Sequence, residues 1–475
     1  MIVGTSTRIV DEVARRIMQE IRRDVRSRLG PDATYEQRRD AAAALASDAL
    51  WLDADEDLRE VITTDEEVEV EGLRYHKLEQ SSSATYHSRW GSHHVEEPLY
   101  RKVGVHNGPT IKPIELRVGI IEHMTPDMAR IVGELNADRS SRGVERTLRA
   151  TGLVPPSRAF VAKHTTEMGI EIADQVRELE QVAREAEVVP AEVASVSTGL
   201  DRMSVRMSEP ADPATACPPP RTEPYERTPP PPKEHHYRKA WVGSTSVYDA
   251  KGNELHTWRY AVEADADAAK LADRVAKDVA WILKAHPLVP VHCVQDAAPE
   301  LERLPEALAR LLPSNTNVVV LVDLEHLMDY LRDVVDACEP EGDPHDWKGW
   351  YRSLLLRDDH AIDTIWRKLR ALAKRLPGRG TAARKAVAAA LSYIRLRKAK
   401  MRYAAHYAAN LPIGSGATES TCWQMQQRVK LPGQSWDKPG LRGILAMRAL
   451  VLSDRWAAAW QPYAATHRKE VRAAA

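Results

Sequence analysis

Apolar residues recur at three- and four-residue spacing through IVDEVARRIMQEIRRDV and TYEQRRDAAAALASDAL, and Leu29-Gly30-Pro31 separates the two runs. That period predicts two helices within residues 8–60. From 67 to 107 the pattern shortens to alternation in VEVEGLRYHKLE, ATYHSRWG and HHVEEPLYRKVG, which predicts a small antiparallel sheet. Helical periodicity returns from about 120 to 188 in short runs broken by polar turns. The stretch MTPDMARIVGELNADRSSRGVERTLRATG is compatible with a helix-turn-helix that reads DNA, although compact helix pairs without that role are commoner.

The next unit has sharper signals. EVASVSTGLD (192–201) reads as a strand ending in Asp201, and ten prolines within 206–235 then predict a loop. HYRKAWVGSTSVYD and ELHTWRYAVE flank Ala250-Lys251-Gly252-Asn253 as a hairpin. An amphipathic helix follows over 264–286, with Leu271, Val275, Val279 and Ile282 as its stripe. A buried strand (289–296) ends in Asp296, a helix covers 299–312, and a second buried strand (317–323) ends in Asp323. Nearly everything from 324 to about 409 is helical, and LPIGSGATESTCWQMQQRVK opens a further helix behind a Gly-rich turn, with Glu419 near its start. A Pro/Gly-rich loop holding Trp436 precedes a final helix.

These boundaries divide the chain into a helical region (1–66), a small β region (67–119), a helical region (120–190), a first core segment (191–323), an all-helical insertion (324–410) and a last core segment with a basic end (411–475). The expected class is α/β, a mixed sheet with a large helical insertion. A length of 475 residues accommodates roughly three domains.

Composition narrows the function. With 43% apolar and 28% charged residues the chain is globular, and no apolar run approaches the roughly 18 to 20 residues that span a bilayer. The start MIVGTSTRIVDEVARR lacks a basic segment followed by an apolar one, so no secretory signal is expected. Cys217, Cys293, Cys338 and Cys422 are too scattered for a disulfide framework or paired zinc ligands, which fits a reducing, cytoplasmic setting. The net charge of −1 hides an asymmetry: residues 361–475 hold 22 Lys and Arg against 5 Asp and Glu, a balance of +17 that leaves −18 for residues 1–360. Such a basic end points to a polyanion, or to docking on an acidic partner.

Carboxylates at strand ends, with a third on an overlying helix, suit hard divalent ions such as Mg²⁺ or Mn²⁺, and two such ions support phosphoryl transfer. Each residue also has a plainer reading. Asp201 can bound a turn, Asp296 can cap the helix that follows, and Glu419 is favourable in a first helical turn because of the backbone dipoles. Asp323 and His326, three apart, can share a helical face or serve as cap and polar contact.

The segments LDRMSVRM, YRKAWVGSTSVYDAKGNELHTWRYA, CVQDAAPE, VDLEHLMDYL, MRYAAHYAANLPIGSGATESTCWQMQQRVKLPGQSW and MRALVLSDRW resemble the bacterial insertion-sequence transposases of the DDE superfamily, in particular the Kra group. They span about 190–460, LPIGSGATES is the most specific, and the N-terminal YRKVG segment is similar as well. The resemblance implies an RNase H-like core interrupted by helices, with Asp201, Asp296 and Glu419 as the catalytic metal-binding carboxylates. Asp323 and His326 resemble an Asp-x-x-His element that is structural or positions DNA. The implied chemistry is Mg²⁺-dependent, with Mn²⁺ as a substitute: water cleaves the element end, and the freed 3′-OH attacks target DNA. The implied partners are double-stranded element ends and target DNA, with a homodimer when two ends are synapsed, and the implied location is nucleoid-associated. Arg395, Arg397, Lys398, Lys400, Arg402, Arg428 and Lys430 supply phosphate contacts, and Trp436 either stacks on a distorted base or packs internally. Recognition of the ends then falls mostly to residues 1–190. A structure-selective nuclease on the same fold, or a silent DNA-binding or assembly protein, would share these features.

Overall fold

A computed structural model describes residues 12–210, 233–296, 298–338, 344–376 and 382–474. The chain begins with α1 (Glu12–Leu29) and α2 (Tyr35–Glu60), then β1 (Glu67–Val70), β2 (Leu73–Ser88), β3 (Gly91–Lys102) and β4 (Thr110–Ile111). Short helices follow: α3 (Pro113–Val118), α4 (Pro126–Asp138), α5 (Ser141–Ala150), α6 (Arg158–Asp174) and α7 (Val176–Ala186). The second α/β segment comprises β5 (Ser195–Pro210), β6 (Lys233–Tyr248), β7 (Glu254–Val262), α8 (Ala268–Ala285), β8 (Val291–Gln295), α9 (Arg303–Leu311) and β9 (Val318–Val322). Then come α10 (Leu324–Cys338), α11 (Pro344–Leu355), α12 (Ala361–Arg375), α13 (Ala382–Arg397), α14 (Ala404–Ala408), α15 (Gly416–Val429), α16 (Lys438–Leu452), α17 (Trp456–His467) and β10 (Val471–Ala473).

The chain forms two compact units, Met1–Met168 with Gln461–Ala475, and Gly169–Trp460. In the first, the two-helix pattern holds because Gly30, at φ +73°, ends α1 in the left-handed conformation, and Thr34 and Gln37 cap α2 reciprocally. Its antiparallel sheet has the order β10-β1-β2-β3-β4.

The second unit is built on a five-stranded mixed sheet of order β7-β6-β5-β8-β9. β5, β6 and β7 run antiparallel, whereas β8 and β9 join β5 in parallel through α8 and α9. This is the mixed, RNase H-like arrangement. Leu271, Val275, Val279 and Ile282 of α8 are fully buried against one sheet face, in a core with Val196, Leu200 and Leu308. The insertion has a core of its own, in which Leu327 and Leu331 of α10 meet Ile365 of α12 and Ile394 of α13. Among the described residues no helix is long and apolar enough to cross a membrane.

Three expectations are corrected. β5 does not end at Asp201: it pairs with β6 without a break from Ser195 opposite Tyr248 to Pro210 opposite Lys233, so Asp201 lies mid-strand. The alternating burial of Met203, Val205 and Met207 carries the strand onward. The proline-rich loop is correspondingly shorter than 206–235, since 206–210 and 233–235 are strand; residues 211–232 lie outside the described residues, as does Cys217. The chain also ends in a strand rather than a helix, with Val471 opposite Val70, so residues 461–475 belong to the first unit.

Candidate metal-dependent active site

Strand register builds the site. Ser197 of β5 lies beside His292 of β8, and Gln295 of β8 beside Val322 of β9. Asp296 and Asp323 each follow the last residue of the neighbouring parallel strands β8 and β9, and Asp201 lies three residues beyond the last β5–β8 pair; because Leu200 and Cys293 belong to the α8 and α9 core, alternation puts Asp201 on the opposite sheet face. The buried strand Val291–Gln295 brings the chain to Asp296 and the apolar strand Val318–Val322 brings it to Asp323.

Helix α15 lies on that face. A Cβ at Gly199 would come within 2.5 Å of the Val294 carbonyl oxygen and 2.7 Å of Thr418 Oγ1, so only glycine admits the helix this closely. Thr418 is held by a 2.7 Å hydrogen bond between its hydroxyl and that of Ser244. The next residue is Glu419, exposed toward solvent, and one turn on, Cys422 Sγ sits 3.1 Å from Asp201 Oδ2.

Asp323 organises the opposite side of the site. It is 1% exposed and accepts hydrogen bonds from the backbone N–H groups of His326 (3.0 Å) and Ser415. Ser415 in turn donates its hydroxyl to Glu419 Oε1 at 3.0 Å. The Asp323 carboxylate thereby ties the end of β9 to the Gly-rich turn that launches α15. Burial raises the Asp323 pKa, but hydrogen bonds from His326 and Ser415 outweigh it and hold the carboxyl well below the usual range. His326 Nδ1 lies 3.6 Å from Asp323 Oδ1, an ion-pair distance rather than a hydrogen bond. The imidazole is pushed up to about 9 by Asp323, against the effect of burial and with further help from Asp296 and Glu419. Burial, then the charges of Asp201 and Glu419, raises the Cys422 thiol well above its ordinary value.

The ligand atoms of Asp323, His326 and Glu419 lie within 4.8 Å of one another, a group capable of holding a divalent ion. Asp201 and Asp296 are not in that tight group. Asp201 reaches the site through Cys422, and Asp296 through its field on His326. The charge balance favours a cation, because several carboxylates face one imidazolium, and the oxygen donors suit a hard ion. The sequence pattern did not single out Ser415 or Cys422 for any role here. The Gly-rich turn marked the start of α15, but only the three-residue offset of Cys422 from Glu419 hinted that both share a helix face.

A second group capable of divalent-ion binding, Glu122, His164 and Glu167, lies in the first unit. His164 Nδ1 is 2.8 Å from Glu122 and 3.1 Å from Glu167. Nothing in the spacing of these residues announced it.

The basic residues take varied positions. Arg395 and Arg402 are exposed. Lys398 pairs with Asp363, and Lys400 with Glu302 at 2.6 Å. Arg397 lies over the Tyr393 ring and, with Lys400, lines a cleft beside Asp296. Lys430 is exposed and donates to Gln426. Arg428 is 3% exposed, with its guanidinium 5.1 Å from the Trp436 ring centre. Trp436 donates its indole N–H to the Val429 carbonyl at 3.0 Å, and its backbone bridges to Met207 of β5. Both side chains thus have internal packing roles.

No protein-family model matches the chain, and no curated protein matches it. Among solved structures, one described as "Mos1 transposase paired-end complex with left transposon end" overlaps 59% of this chain and 79% of that chain, at 12% identity and a TM-score of 0.16. A TM-score that low bears on neither fold nor chemistry.

Proposed function

We propose that the second unit is a divalent-metal-dependent DNA phosphoryl transferase, a DDE transposase that cleaves element ends and joins the resulting 3′-OH to target DNA. The observation that carries this reading is the seating of α15 on the sheet at Gly199, which gathers Glu419 with Asp323 and His326 and sets Cys422 against Asp201. In this reading Asp201, Asp296 and Glu419 hold the metal, Mg²⁺ or Mn²⁺. When bound, the ions supply charge neutralisation at the scissile phosphate and lower the pKa of the attacking water.

The chain's own residues do the positioning. Asp323 fixes the turn before α15, Ser415 aims the Glu419 carboxylate, and His326 neutralises the carboxylate group until a cation displaces its charge. Arg395, Arg402, Lys430, and Arg397 with Lys400 along the cleft beside Asp296, would meet DNA phosphates. Two ends need synapsis, which a pair of chains would provide, and recognition of those ends falls to the region before residue 190.

The test is a cleavage and strand-transfer assay on flanking element-end DNA with Mg²⁺ or Mn²⁺, run beside Asp296→Asn. Joined products that vanish in the variant support transposition. Cleavage without joining would replace it with a nuclease, and binding without any metal-dependent product would leave an assembly protein. Normal strand transfer by Asp296→Asn would sink the residue assignment.

A further inference from the structure

The first unit contains an arrangement unrelated to metal chemistry. Ser88, the last residue of β2, has its Oγ 2.8 Å from His93 Nε2, and His93 Nδ1 lies 3.2 Å from Asp55 Oδ1 on α2. His93 is fully buried, and the Trp51 ring stacks on it at 5.3 Å and 12°. With Nδ1 protonated toward Asp55, Nε2 is left as the acceptor for the Ser88 hydroxyl. Asp55 is itself fixed by Arg59 at 2.7 Å, and the Trp90 backbone N–H donates to Ser88 Oγ at 3.1 Å. A nucleophile bonded to a base, and a base oriented by a carboxylate, is the recurring geometry of activated serine.

Two further features turn this from a hydrogen-bonded link into a site. Ser88 and Trp90 line a cavity, and the first turn of α4, Thr125 to Asp127, lines it too. Thr125 is held beside the end of β2 by its N–H bond to the His87 carbonyl at 2.9 Å, and its side chain does not cap α4. Pro126, the first residue of α4, has no N–H and the Thr125 N–H is taken by His87, so the Asp127 N–H is the first free backbone donor of that turn at the cavity beside Ser88, a single donor for negative charge on an attacked carbonyl oxygen. Four carboxylates, Asp53, Asp57, Glu60 and Asp127, line the cavity with two guanidinium groups, Arg117 and Arg468, and Asp127 is paired with Arg89 at 2.8 Å. Arg117 is already committed to the Val61 and Val471 carbonyls. Asp53, Asp57 and Glu60 leave the cavity with an excess of negative charge, which favours a cationic substrate.

We infer that Ser88, His93 and Asp55 form a serine-nucleophile site that hydrolyses carboxylic esters carrying a cationic group, independently of the DNA chemistry proposed for the second unit. Ser88 Oγ bonds to the ester carbonyl carbon as its proton passes to His93 Nε2. The C–O bond to the alcohol then breaks, and the alcohol leaves with that proton. Water attacks the acyl group and gives a proton to Nε2, and Ser88 Oγ takes it back as the carboxylic acid departs. No electrons are exchanged with any other reagent.

The test treats the full chain with an alkyl fluorophosphonate and locates the label by peptide mass spectrometry. One phosphonyl group on Ser88 is expected, absent in Ser88→Ala, and formed at least about 100-fold more slowly in Asp55→Asn, where the imidazole loses its orienting carboxylate. Hydrolysis of a choline ester should exceed that of its uncharged dimethylbutyl counterpart by about tenfold, the worth of one modest charge contact. Thermal melts of both variants separate loss of reactivity from loss of fold. An unmodified Ser88 in the folded wild-type chain would overturn the proposal and reduce the three residues to a structural tie between α2 and the β2–β3 hairpin. Equal hydrolysis of the two esters would overturn the cationic preference.

Discussion

At the scale of single residues, the chain holds ionisable groups where their charge is costly, and each leaves a measurable signature. Glu97 is 2% exposed and accepts from the Tyr86 hydroxyl at 3.2 Å and the Ile114 N–H at 3.3 Å. Burial raises its carboxyl from 4.5 to about 7, opposed by those hydrogen bonds and assisted by Glu115. The native state thus holds a proton that the unfolded chain has released, so this contribution is intact below pH 4.5 and is lost as pH rises through 7. Glu97→Gln removes the dependence. Urea titrations should show the variant gaining on the wild type at pH 8 by up to about 3 kcal/mol, with the difference gone below pH 4.5. His326 obeys the same rule at higher pH. Its raised pKa of about 9 stabilises the metal-free chain fully below pH 6.5, and that stabilisation fades as pH climbs through 9. In Asp323→Asn, NMR titration of the imidazole should move toward 6.5, because Asp323 is the main cause of the shift.

At the scale of elements, one helix decides the geometry of the candidate site. Gly199→Ala places a methyl group 2.5 Å from a backbone carbonyl that cannot move without disturbing β8, so α15 must lift. A stability loss of about 1 to 3 kcal/mol is expected from overpacking, together with loss of metal-dependent cleavage, since Glu419 moves with the helix. If circular dichroism melts and cleavage both match the wild type, the close seating of α15 is not what organises the site. The placement of α15 was readable in advance because glycines and a serine precede an uninterrupted helical run. Asp323 was readable as a strand end because the apolar run Val318 to Val322 stops at it, and Asp296 because a short, mainly apolar stretch from Val289 to Val294 ends just before it. Asp201 was misplaced because polar residues alternate with Met203, Val205 and Met207, which resembles a turn when read locally and becomes a strand once β6 pairs with it. The Asp55, Ser88 and His93 arrangement was invisible for another reason: its members sit on three elements, and only the packing of α2 on the β2–β3 hairpin assembles them.

A second element-scale feature ties the RNase H-like core together through charge. Arg455 is 1% exposed and bonds Glu187 at 2.9 Å and Asp278 at 2.5 Å, while Arg184 also reaches Asp278. Arg274 and Glu180 form a neighbouring buried pair at 2.6 Å. Arg455→Met leaves two carboxylates partly unpaired, so a loss of about 3 to 5 kcal/mol should appear in denaturant unfolding of the chain. Restoration by the further change Asp278→Asn would localise the cost to that carboxylate, whereas a loss below 1 kcal/mol would mean that water already screens the pair.

At the scale of the whole molecule, chain order and unit membership do not coincide. Residues 461–475 complete the first unit, where β10 pairs with β1 through Val68, Glu69 and Val70, and the Arg117 guanidinium bonds the Val471 carbonyl at 3.1 Å. A three-residue strand carries too little periodicity to be recognised, and nothing local to VRA names its partner. Cutting the chain after Met168 would therefore leave β1 as an open edge, with Val70 and Tyr100 losing the cover of Val471. The 1–168 fragment is expected to associate or aggregate at concentrations where the full chain does not. A peptide spanning 461–475 should restore its solubility and sharpen its thermal transition, and a Val471→Asp peptide should not, because the buried valine would be replaced by a charge. Sedimentation and melting of the fragment with each peptide decide this. A monomeric, cooperatively folding fragment without added peptide would show that the first unit needs no C-terminal strand.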